Sequence, residues 1–406
     1  MKRTQGQWHF WIDRGGTFTD IVAWRDGQSD MRSAKVRSED SNREEDASLA
    51  AIRVVLGLDE TVDLRSLGPI SIRMGTTVAT NALLTRTGEK TVVVLTQGLG
   101  DLLILRDQTR PRLFELDIRR PQPLWEHVIE ADERIDVSGE VVRPLDEVGL
   151  SHQLLEAKEA GCEACAVALM HGWKHPRHEQ RIKTLAMEAG FEEVRASHEV
   201  CPLHGIVGRA QTTLVDAALT PPLHRSIAAL SQALPEAEIE FMQSSGGLIT
   251  AEGFRGSRAV LSGPAGGIVG AAAVSASHDR IITLDMGGTS TDVAWHDGVL
   301  QRTWDSEVEG LQLRVPMLEI DTIAAGGGSI CRFDGQRLRV GPESSGAQPG
   351  PACYRGGGPA TLTDCHVVLG RLDQDLLPSV FGPLGNQLVS VHGITRSPIA
   401  KSGRPS

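Results

Sequence analysis

The stretch Ile12-Asp13-Arg14-Gly15-Gly16-Thr17-Phe18-Thr19-Asp20-Ile21-Val22-Ala23-Trp24 returns near the other end of the chain as Leu284-Asp285-Met286-Gly287-Gly288-Thr289-Ser290-Thr291-Asp292-Val293-Ala294-Trp295. Both copies read apolar, Asp-x-Gly-Gly-Thr-x-Thr-Asp, and then an apolar run. Because a pattern of eight residues with six fixed positions rarely recurs by chance, the repeat indicates two similar halves that face each other.

Each copy is typical of a strand, a tight glycine turn and a second strand. The paired glycines have no Cβ, so a phosphate group can approach the turn closely. The threonines offer hydroxyl groups, and the first aspartate can hold hydrated Mg²⁺ or orient a water. We therefore predict catalytic and metal-binding roles for Asp13 and Asp285. The predicted phosphate-binding residues are Gly15, Gly16, Thr17, Thr19, Asp20, Gly287, Gly288, Thr289, Thr291 and Asp292. The alternative is two ordinary hairpins with Gly-Gly turns. The recurrence of the same motif at both ends of the chain disfavours it.

Composition restricts the class of protein. The chain has 406 residues, enough for two or three domains, and is 40% hydrophobic and 23% charged, as in soluble proteins. A formal net charge of −11 argues against nucleic acid as the main partner. The first apolar run is broken by Asp13, so we expect neither a signal peptide nor a membrane span. Six cysteines do not make a disulfide framework, which favours a cytoplasmic location.

Strands and helices alternate along the first part of the chain, which predicts an α/β fold. The run at 91–96 is typical of a buried strand. The segment 212–234 is largely helical in pattern, and we expect Pro221-Pro222 to interrupt the helix.

Two further glycine-rich segments are candidate parts of the site. The segment 261–271 reads as a turn that opens a helix and presents Gly263, Gly266 and Gly267 to an anion, with close helix packing as the alternative. Gly326, Gly327 and Gly328 form a second candidate loop for the same ligand.

Changes in composition suggest the domain boundaries. We expect a first lobe at 1–146 with an edge loop at 106–146, a middle α/β section at 147–243, the start of a second lobe at 244–383, and a disordered tail at 384–406. The edge loop carries several arginines between prolines, so it is either a solvated connector or a lid over an anionic substrate.

Other constellations are weaker candidates. Cys162 and Cys165 have CxxC spacing, but no second pair accompanies them, so a buried structural pair is favoured. Two metal-site patterns are disfavoured against a structural role. They are His171, His175 and His178, and Cys353, Asp364, Cys365 and His366.

The paired hairpins resemble those of the actin, sugar kinase and heat-shock chaperone superfamily. In that superfamily, two ribonuclease H-like domains hold ATP and magnesium between them. Over residues 8–383 the chain more specifically resembles the hydantoinase A and 5-oxoprolinase family. The matching segments include Ile72–Leu84, Leu261–Gly267, Asp285–Val293, Ala324–Ser329, Val340–Ser344 and Pro349–Tyr354.

The resemblance implies an ATP-dependent hydrolytic opening of a cyclic amide, 5-oxo-L-proline to L-glutamate, through phosphorylation of the amide oxygen. It implies that the hairpins hold phosphates, that Asp13 and Asp285 manage Mg²⁺, and that a monovalent cation is a further candidate cofactor. A hydantoinase B-like portion or subunit is the implied partner, and a homo-oligomer stays open.

Three alternatives remain. The chain is a 5-oxoprolinase, an ATP-dependent hydantoinase or ketone carboxylase subunit, or a truncated nucleotide-binding fragment without activity. The family continues past Phe381-Gly382-Pro383 with a helical segment and another glycine-rich turn. We therefore expect the second lobe of an actin-like fold to be incomplete here.

Overall fold

The computed structural model describes residues 6–38, 43, 45–108, 114, 116, 122–346, 348–376, 381, 387 and 389–390. The strands are β1 Trp8–Arg14, β2 Phe18–Arg25, β3 Arg32–Arg37, β4 Ile70–Thr76, β5 Thr91–Thr96, β6 His127–Ala131, β7 Arg134–Ile135, β8 Val141–Arg143, β9 Ala164–Ala168, β10 Glu193–Ala196, β11 Glu238–Met242, β12 Leu248–Thr250, β13 Arg280–Met286, β14 Thr291–Asp297, β15 Arg302–Thr303, β16 Ser306–Val308, β17 Leu311–Leu313, β18 Met317–Leu318, β19 Asp321–Ile323, β20 Ser329–Phe333 and β21 Leu338–Ser344. The helices are α1 Ala47–Leu56, α2 Val78–Thr85, α3 Leu102–Leu105, α4 Glu147–Glu159, α5 Arg177–Glu188, α6 Ser197–Val200, α7 Ile206–Ala233, α8 Gly256–Ala259, α9 Ser262–Val274 and α10 Leu362–Val368.

A six-stranded sheet with the order β12-β11-β4-β1-β2-β3 carries the first glycine turn. Apolar residues alternate along β1, so Phe10 and Ile12 are buried on one face while Asp13 lies on the other. β1 pairs antiparallel with β2 and parallel with β4. The first turn therefore follows a strand, β1, that is hydrogen-bonded to a neighbouring strand along both of its edges.

A second sheet, with the order β10-β9-β5-β6, is entirely parallel. Every residue of β5 is buried, because one face packs toward α7 and the other toward α4 and α5. The α/β prediction is confirmed. Within the edge region predicted at 106–146, β6 joins this sheet as an edge strand and β7 pairs with β8. Most of the predicted lid arginines lie outside the described residues.

Helix α7 corrects one prediction. It runs unbroken from Ile206 to Ala233 with Pro221 and Pro222 inside it. A proline removes the hydrogen bond that the carbonyl four residues earlier would accept. For Pro222 that carbonyl belongs to Ala218, and it accepts instead from the backbone N–H of Glu89 at 2.8 Å. The outside partner compensates for the bond lost at Pro222, and the helix continues through both prolines.

The C-terminal part contains the second glycine turn in a small sheet with the order β13-β14-β19. The register matches that of the first hairpin, because Asp285 lies opposite Asp292 as Asp13 lies opposite Asp20. Helix α9 packs with Ala265 and Ile268 against Ala294 of β14. The division into domains at 146, 243 and 383 stays a prediction. Most of the tail expected to be disordered, residues 384–386, 388 and 391–406, lies outside the described residues. In its described part, Gln387 pairs with Phe381 and Val389 is 3% exposed. Among the described residues, no helix is both long and apolar enough to cross a membrane.

The matched registers give a stability test with an internal control. Ile12 and Leu284 occupy equivalent positions, but Ile12 is 3% exposed and Leu284 is 70% exposed. We expect Ile12→Ala to lower the free energy of unfolding by about 2–5 kcal/mol, because it opens a cavity in the core. Leu284→Ala should change it by roughly 0.5 kcal/mol or less. Urea unfolding followed by circular dichroism measures both, and equal losses would contradict the burial difference.

Candidate functional site

The two glycine turns are built alike. The N–H of Gly15 donates to the carbonyl of Phe18 at 2.9 Å, and the N–H of Gly287 donates to the carbonyl of Ser290 at 2.9 Å. Each turn is thus closed by the same backbone hydrogen bond. In each, an aspartate lies on the strand before the turn. The repeat in the sequence is therefore a repeat in local geometry.

Asp13 lies where three elements converge. A Cβ on Gly75 of β4 would be 3.4 Å from Asp13 Oδ1, and one on Gly263 of α9 would be 3.7 Å from the same oxygen. The N-terminus of α9 is anchored beside it by two hydrogen bonds, from Ser262 Oγ to the carbonyl of Thr76 at 2.8 Å and from the N–H of Leu261 to Thr80 Oγ1 at 2.9 Å. The Asp13 carboxylate therefore lies beside the positive end of α9, at the end of β4.

The charge state of Asp13 reflects this crowding. Burial by surrounding atoms raises the pKa of its carboxyl, although the residue remains exposed on one side. The negative charges of Asp20 and Asp285 raise this pKa further, and Lys35 partly offsets them. A cation bound beside these carboxylates would offset their mutual repulsion.

In the second hairpin, Asp285 of β13 lies opposite Asp292 of β14. Burial raises the pKa of Asp292, the hydrogen bond from Thr322 Oγ1 at 2.7 Å lowers it, and the charge of Asp285 raises it. Both residues line a cavity of about 460 Å³ between α9 and the β13–β14 hairpin. The other residues around the cavity are mostly apolar.

The loop Gly326–Gly328 supports the second turn from behind. The N–H groups of Gly327 and Gly328 donate to the carbonyls of Gly287 and Gly288 at 2.9 and 2.7 Å. A Cβ on Gly326 would lie 2.7 Å from the carbonyl oxygen of Gly287, closer than real Cβ atoms come. Close backbone contact thus explains these glycines, while their predicted contact with a cofactor stays a prediction.

The four predicted threonines fall into two kinds. Thr19 is fully buried and its hydroxyl bonds Ser38 Oγ at 3.0 Å, while the hydroxyl of Thr291 donates to the carbonyl of Ala325 at 2.6 Å. Both hydroxyls tie a hairpin to the segment that follows its third strand. Thr17 and Thr289 lie at the turns, half-buried and exposed respectively, where a ligand can reach them. The structure therefore favours a bracing role for Thr19 and Thr291.

The three glycines predicted at α9 also differ. Gly263 approaches Asp13 as described, whereas Gly266 faces Met242, and a Cβ there would lie 3.6 Å from its Cγ. A Cβ on Gly267 would meet no atom within 4 Å, and the residue is exposed. Of the three, Gly263 is the one beside Asp13, and Gly267 lines the cavity that Asp285 and Asp292 also line.

Sequence reasoning missed three residues that shape the first turn. Ser38 Oγ donates to the carbonyl of Gly15 at 2.6 Å, and the N–H of Thr77 donates to the carbonyl of Arg14 at 3.0 Å. The amide of Asn81 lies over Gly16, where a Cβ would be 2.8 Å from Nδ2. The segment Gly75-Thr76-Thr77, which joins the end of β4 to the start of α2, is the signal that points to Thr77 and Asn81.

The weaker constellations have structural partners. Cys162 and Cys165 are buried, His178 Nδ1 lies 2.7 Å from Glu133 Oε2, and the carboxylate of Asp364 accepts from the backbone N–H groups of Cys353 and Thr361, each at 2.7 Å. In the part of the chain that the structure covers, no group of three or more His, Cys, Asp or Glu could hold a metal ion by itself. A pair of carboxylates is nevertheless the protein share that Mg²⁺ takes when phosphates supply its other ligands.

Comparison with known proteins places these features in a family. The family model "Hydantoinase/oxoprolinase N-terminal region" matches residues 9–190, and the model "Hydantoinase/oxoprolinase" matches residues 209–401. 5-Oxoprolinase 1 of Arabidopsis thaliana is 41% identical over 95% of this chain, which corresponds to 33% of the plant protein. The chain thus spans about a third of the length of that relative.

Solved structures agree. The ATP-dependent caprolactamase of Pseudomonas jessenii has a TM-score of 0.71 and 32% identity, covering 90% of this chain and 55% of that chain. Nucleotide-free acetone carboxylase has a TM-score of 0.79 at 24% identity, covering 98% of this chain and 59% of that chain, a likeness of fold. By its two family models and its relatives, the chain belongs to the hydantoinase/oxoprolinase family.

Proposed function

We propose that the chain is the nucleotide-binding part of an ATP-dependent enzyme that opens 5-oxo-L-proline to L-glutamate. The observation that carries the proposal is the pair of Asp-x-Gly-Gly-Thr hairpins in matched register, with α9 packed beside both β4 and β13. Relatives named 5-oxoprolinase at 41% and 38% identity support the choice of substrate. On this proposal, the fold is one complete actin-like lobe and part of a second.

The residues fit ATP and Mg²⁺. A Cβ on Gly288 would meet no atom within 4 Å, so open space lies over the second turn. The N-terminus of α9 adds favourable potential for phosphate, and the two carboxylates would hold Mg²⁺. When bound, ATP supplies the phosphoryl group that activates the amide oxygen, and Mg²⁺ neutralises phosphate charge.

The chain's own share of the chemistry is positioning. Thr17 and Thr289 present hydroxyls at the two turns, and Asn81 presents an amide over Gly16. Fixed donors of this kind need no reorganisation when charge develops on phosphate oxygens, which is how such groups lower a barrier. Asp13 and Asp285 keep two negative charges in place for the cation.

We propose a hydantoinase B-like portion as partner and the cytoplasm as location. The partner is the implied companion of this family part, and the net charge of −11 fits a protein that does not bind nucleic acid as its main partner. The proposal also includes assembly of the chain into a homo-oligomer and a monovalent cation as a further cofactor, and both can be measured directly.

One assay tests the proposal. ATP hydrolysis by the purified chain would be measured with and without 5-oxoproline, alone and with a hydantoinase B-type subunit, and with hydantoin or acetone plus bicarbonate as competing substrates. Stimulation by 5-oxoproline supports the proposal. Stimulation by hydantoin or by acetone instead would assign the chain a hydantoinase or ketone carboxylase activity. Absence of both ATP turnover and nucleotide binding would refute the proposal that the chain is part of an enzyme.

Replacing the carboxylate of Asp285 should disable an active preparation. We expect Asp285→Asn to reduce ATP turnover on the order of 100-fold, because it removes charge that stabilises the cation and the transferring phosphoryl group. Asp297→Asn is the matched control, since Asp297 lies at the far end of the same hairpin in an exposed ion pair with Arg280. Initial rates at saturating Mg²⁺ measure both variants, and unchanged turnover in Asp285→Asn removes its proposed role.

The raised pKa of Asp13 predicts that removing its charge stabilises the folded chain when no cation is present. A carboxyl whose folded pKa lies above its usual 3.8 destabilises the folded chain as the pH rises through and beyond that window. In the absence of divalent cations, Asp13→Asn should therefore raise the melting temperature at pH 7. This gain should shrink as the pH falls toward 3.8.

Differential scanning fluorimetry with EDTA measures this effect, with Asp26→Asn as the control on the same hairpin. Because the same substitution removes a proposed cation ligand, added Mg²⁺ should stabilise the unsubstituted chain more than the variant. If Asp13→Asn is less stable than the unsubstituted chain at pH 7 without cations, the charge of Asp13 does not destabilise the folded chain, and the prediction is wrong.

A further inference from the structure

Two cysteines of the C-terminal part lie on segments that pair with each other. Cys331 lies in β20, where its N–H donates to the carbonyl of Ala360 at 2.8 Å. The preceding residue of β20, Ile330, pairs with Thr361, which is the N-cap of α10. Cys365 follows one helical turn later, and its N–H donates to the carbonyl of Thr361 at 3.2 Å. Strand β20 and the first turn of α10 are therefore held side by side.

The thiols of these two cysteines are neighbours. Because each Cβ of a helix points toward the helix N-terminus, the Cys365 side chain leans back toward Thr361, beside which β20 pairs. Burial, the charge of Cys365 and a hydrogen bond with the Cys365 side chain raise the pKa of the Cys331 thiol to about 11. The backbone pairing and the hydrogen bond between the side chains thus place the two sulfur atoms together.

Access to solvent separates this pair from the other four cysteines of the chain. Cys365 is exposed and Cys331 is half-buried, so a small oxidant can reach the pair. Among the described residues, no group of three or more His, Cys, Asp or Glu could hold a metal ion, which favours oxidation over metal binding as the chemistry of the pair. The buried cysteines are Cys162, Cys165, Cys201 and Cys353.

We propose that Cys331 and Cys365 form a reversible disulfide in the presence of hydrogen peroxide, and that this bond ties β20 to α10 behind the second glycine turn. The Cys365 sulfur attacks a peroxide oxygen, the O–O bond breaks, and one water leaves as a sulfenic acid forms. The Cys331 sulfur then attacks the Cys365 sulfur, the S–O bond breaks, and a second water leaves. The two thiols lose the two electrons that the peroxide gains, and a thiol such as glutathione reverses the bond by exchange.

The disulfide would restrict the segments that support the second turn. Strand β20 begins directly after Gly328, whose N–H donates to the carbonyl of Gly288 at 2.7 Å. In α10, the N–H of Thr363 donates to the carbonyl of Gly327 at 2.8 Å. A bond between β20 and α10 therefore holds both sides of the Gly326–Gly328 loop. Oxidation of the pair requires neither the proposed substrate nor the proposed activity.

Peptide mapping of the oxidised chain tests the proposal. The reduced, purified full chain is treated with a small molar excess of hydrogen peroxide, and the remaining thiols are blocked with N-ethylmaleimide. Trypsin, used without a reducing agent, leaves Cys331 in the peptide 315–332 and Cys365 in the peptide 356–371. We expect mass spectrometry to find these two peptides joined, with the loss of two hydrogen atoms, and separated again after reduced glutathione is added.

Variants and the buried cysteines supply the controls. Cys365→Ser, at the exposed position, should abolish the joined peptides, and Cys331→Ser should leave Cys365 to oxidise further to a sulfinic acid. If Cys331→Ser does not fold by circular dichroism, Cys365→Ser decides alone. In the unsubstituted chain, the four buried cysteines should react with N-ethylmaleimide only after unfolding.

Hydrogen–deuterium exchange measures the effect on the loop. The amides of residues 326–328 should exchange about 5-fold more slowly in the oxidised chain than in the reduced chain, because the disulfide opposes local opening. In Cys365→Ser, peroxide should leave their exchange unchanged.

Three results would overturn the proposal. The first is oxidation of Cys365 while N-ethylmaleimide still labels Cys331. The second is a disulfide-linked dimer on a non-reducing gel in place of the internal bond. The third is complete cross-linking with no slowing of exchange at residues 326–328, which would show that the bond does not brace the turn.

Discussion

Backbone contact at glycine is the constraint on which the candidate site depends. Gly326 stands where any Cβ would collide with the carbonyls of Gly287 and Gly288, and the next two N–H groups donate to those carbonyls. The second turn is therefore held from behind by a loop that only glycine allows. Its open side, over Gly288, is left for a ligand.

From that contact a continuous path leads to the first turn. The N–H of Thr363 donates to the carbonyl of Gly327 at 2.8 Å, and the buried carboxylate of Asp364 accepts from the N–H of Cys353 at 2.7 Å. Next to Cys353, the ring of Tyr354 lies edge-on to Phe18 at 6.5 Å between centroids. This path of hydrogen bonds and rings connects the two hairpins through side chains other than Asp13 and Asp285.

The sequence predicted what is local and missed what depends on distant partners. The repeated motif specifies both turns, because glycine, aspartate and strand-forming residues act within one hairpin. It does not say which way a hydroxyl points, so Thr19 was placed with the ligand although it is buried against Ser38. The break expected at Pro221-Pro222 failed for the same reason, since the bond that rescues the helix comes from Glu89. Likewise, the sequence does not show that the Gly326–Gly328 loop packs against the second turn, and its contact with a ligand stays a prediction.

The two hairpins thus share a sequence but not a setting. Asp13 has Gly75 on a paired strand and Gly263 on α9 at close range, whereas Asp285 borders the cavity between α9 and the β13–β14 hairpin. Burial raises the pKa of Asp13, and the charges of Asp20 and Asp285 raise it further. A cation bound beside these carboxylates would oppose that repulsion, so binding of Mg²⁺ would also stabilise the ionised form of Asp13.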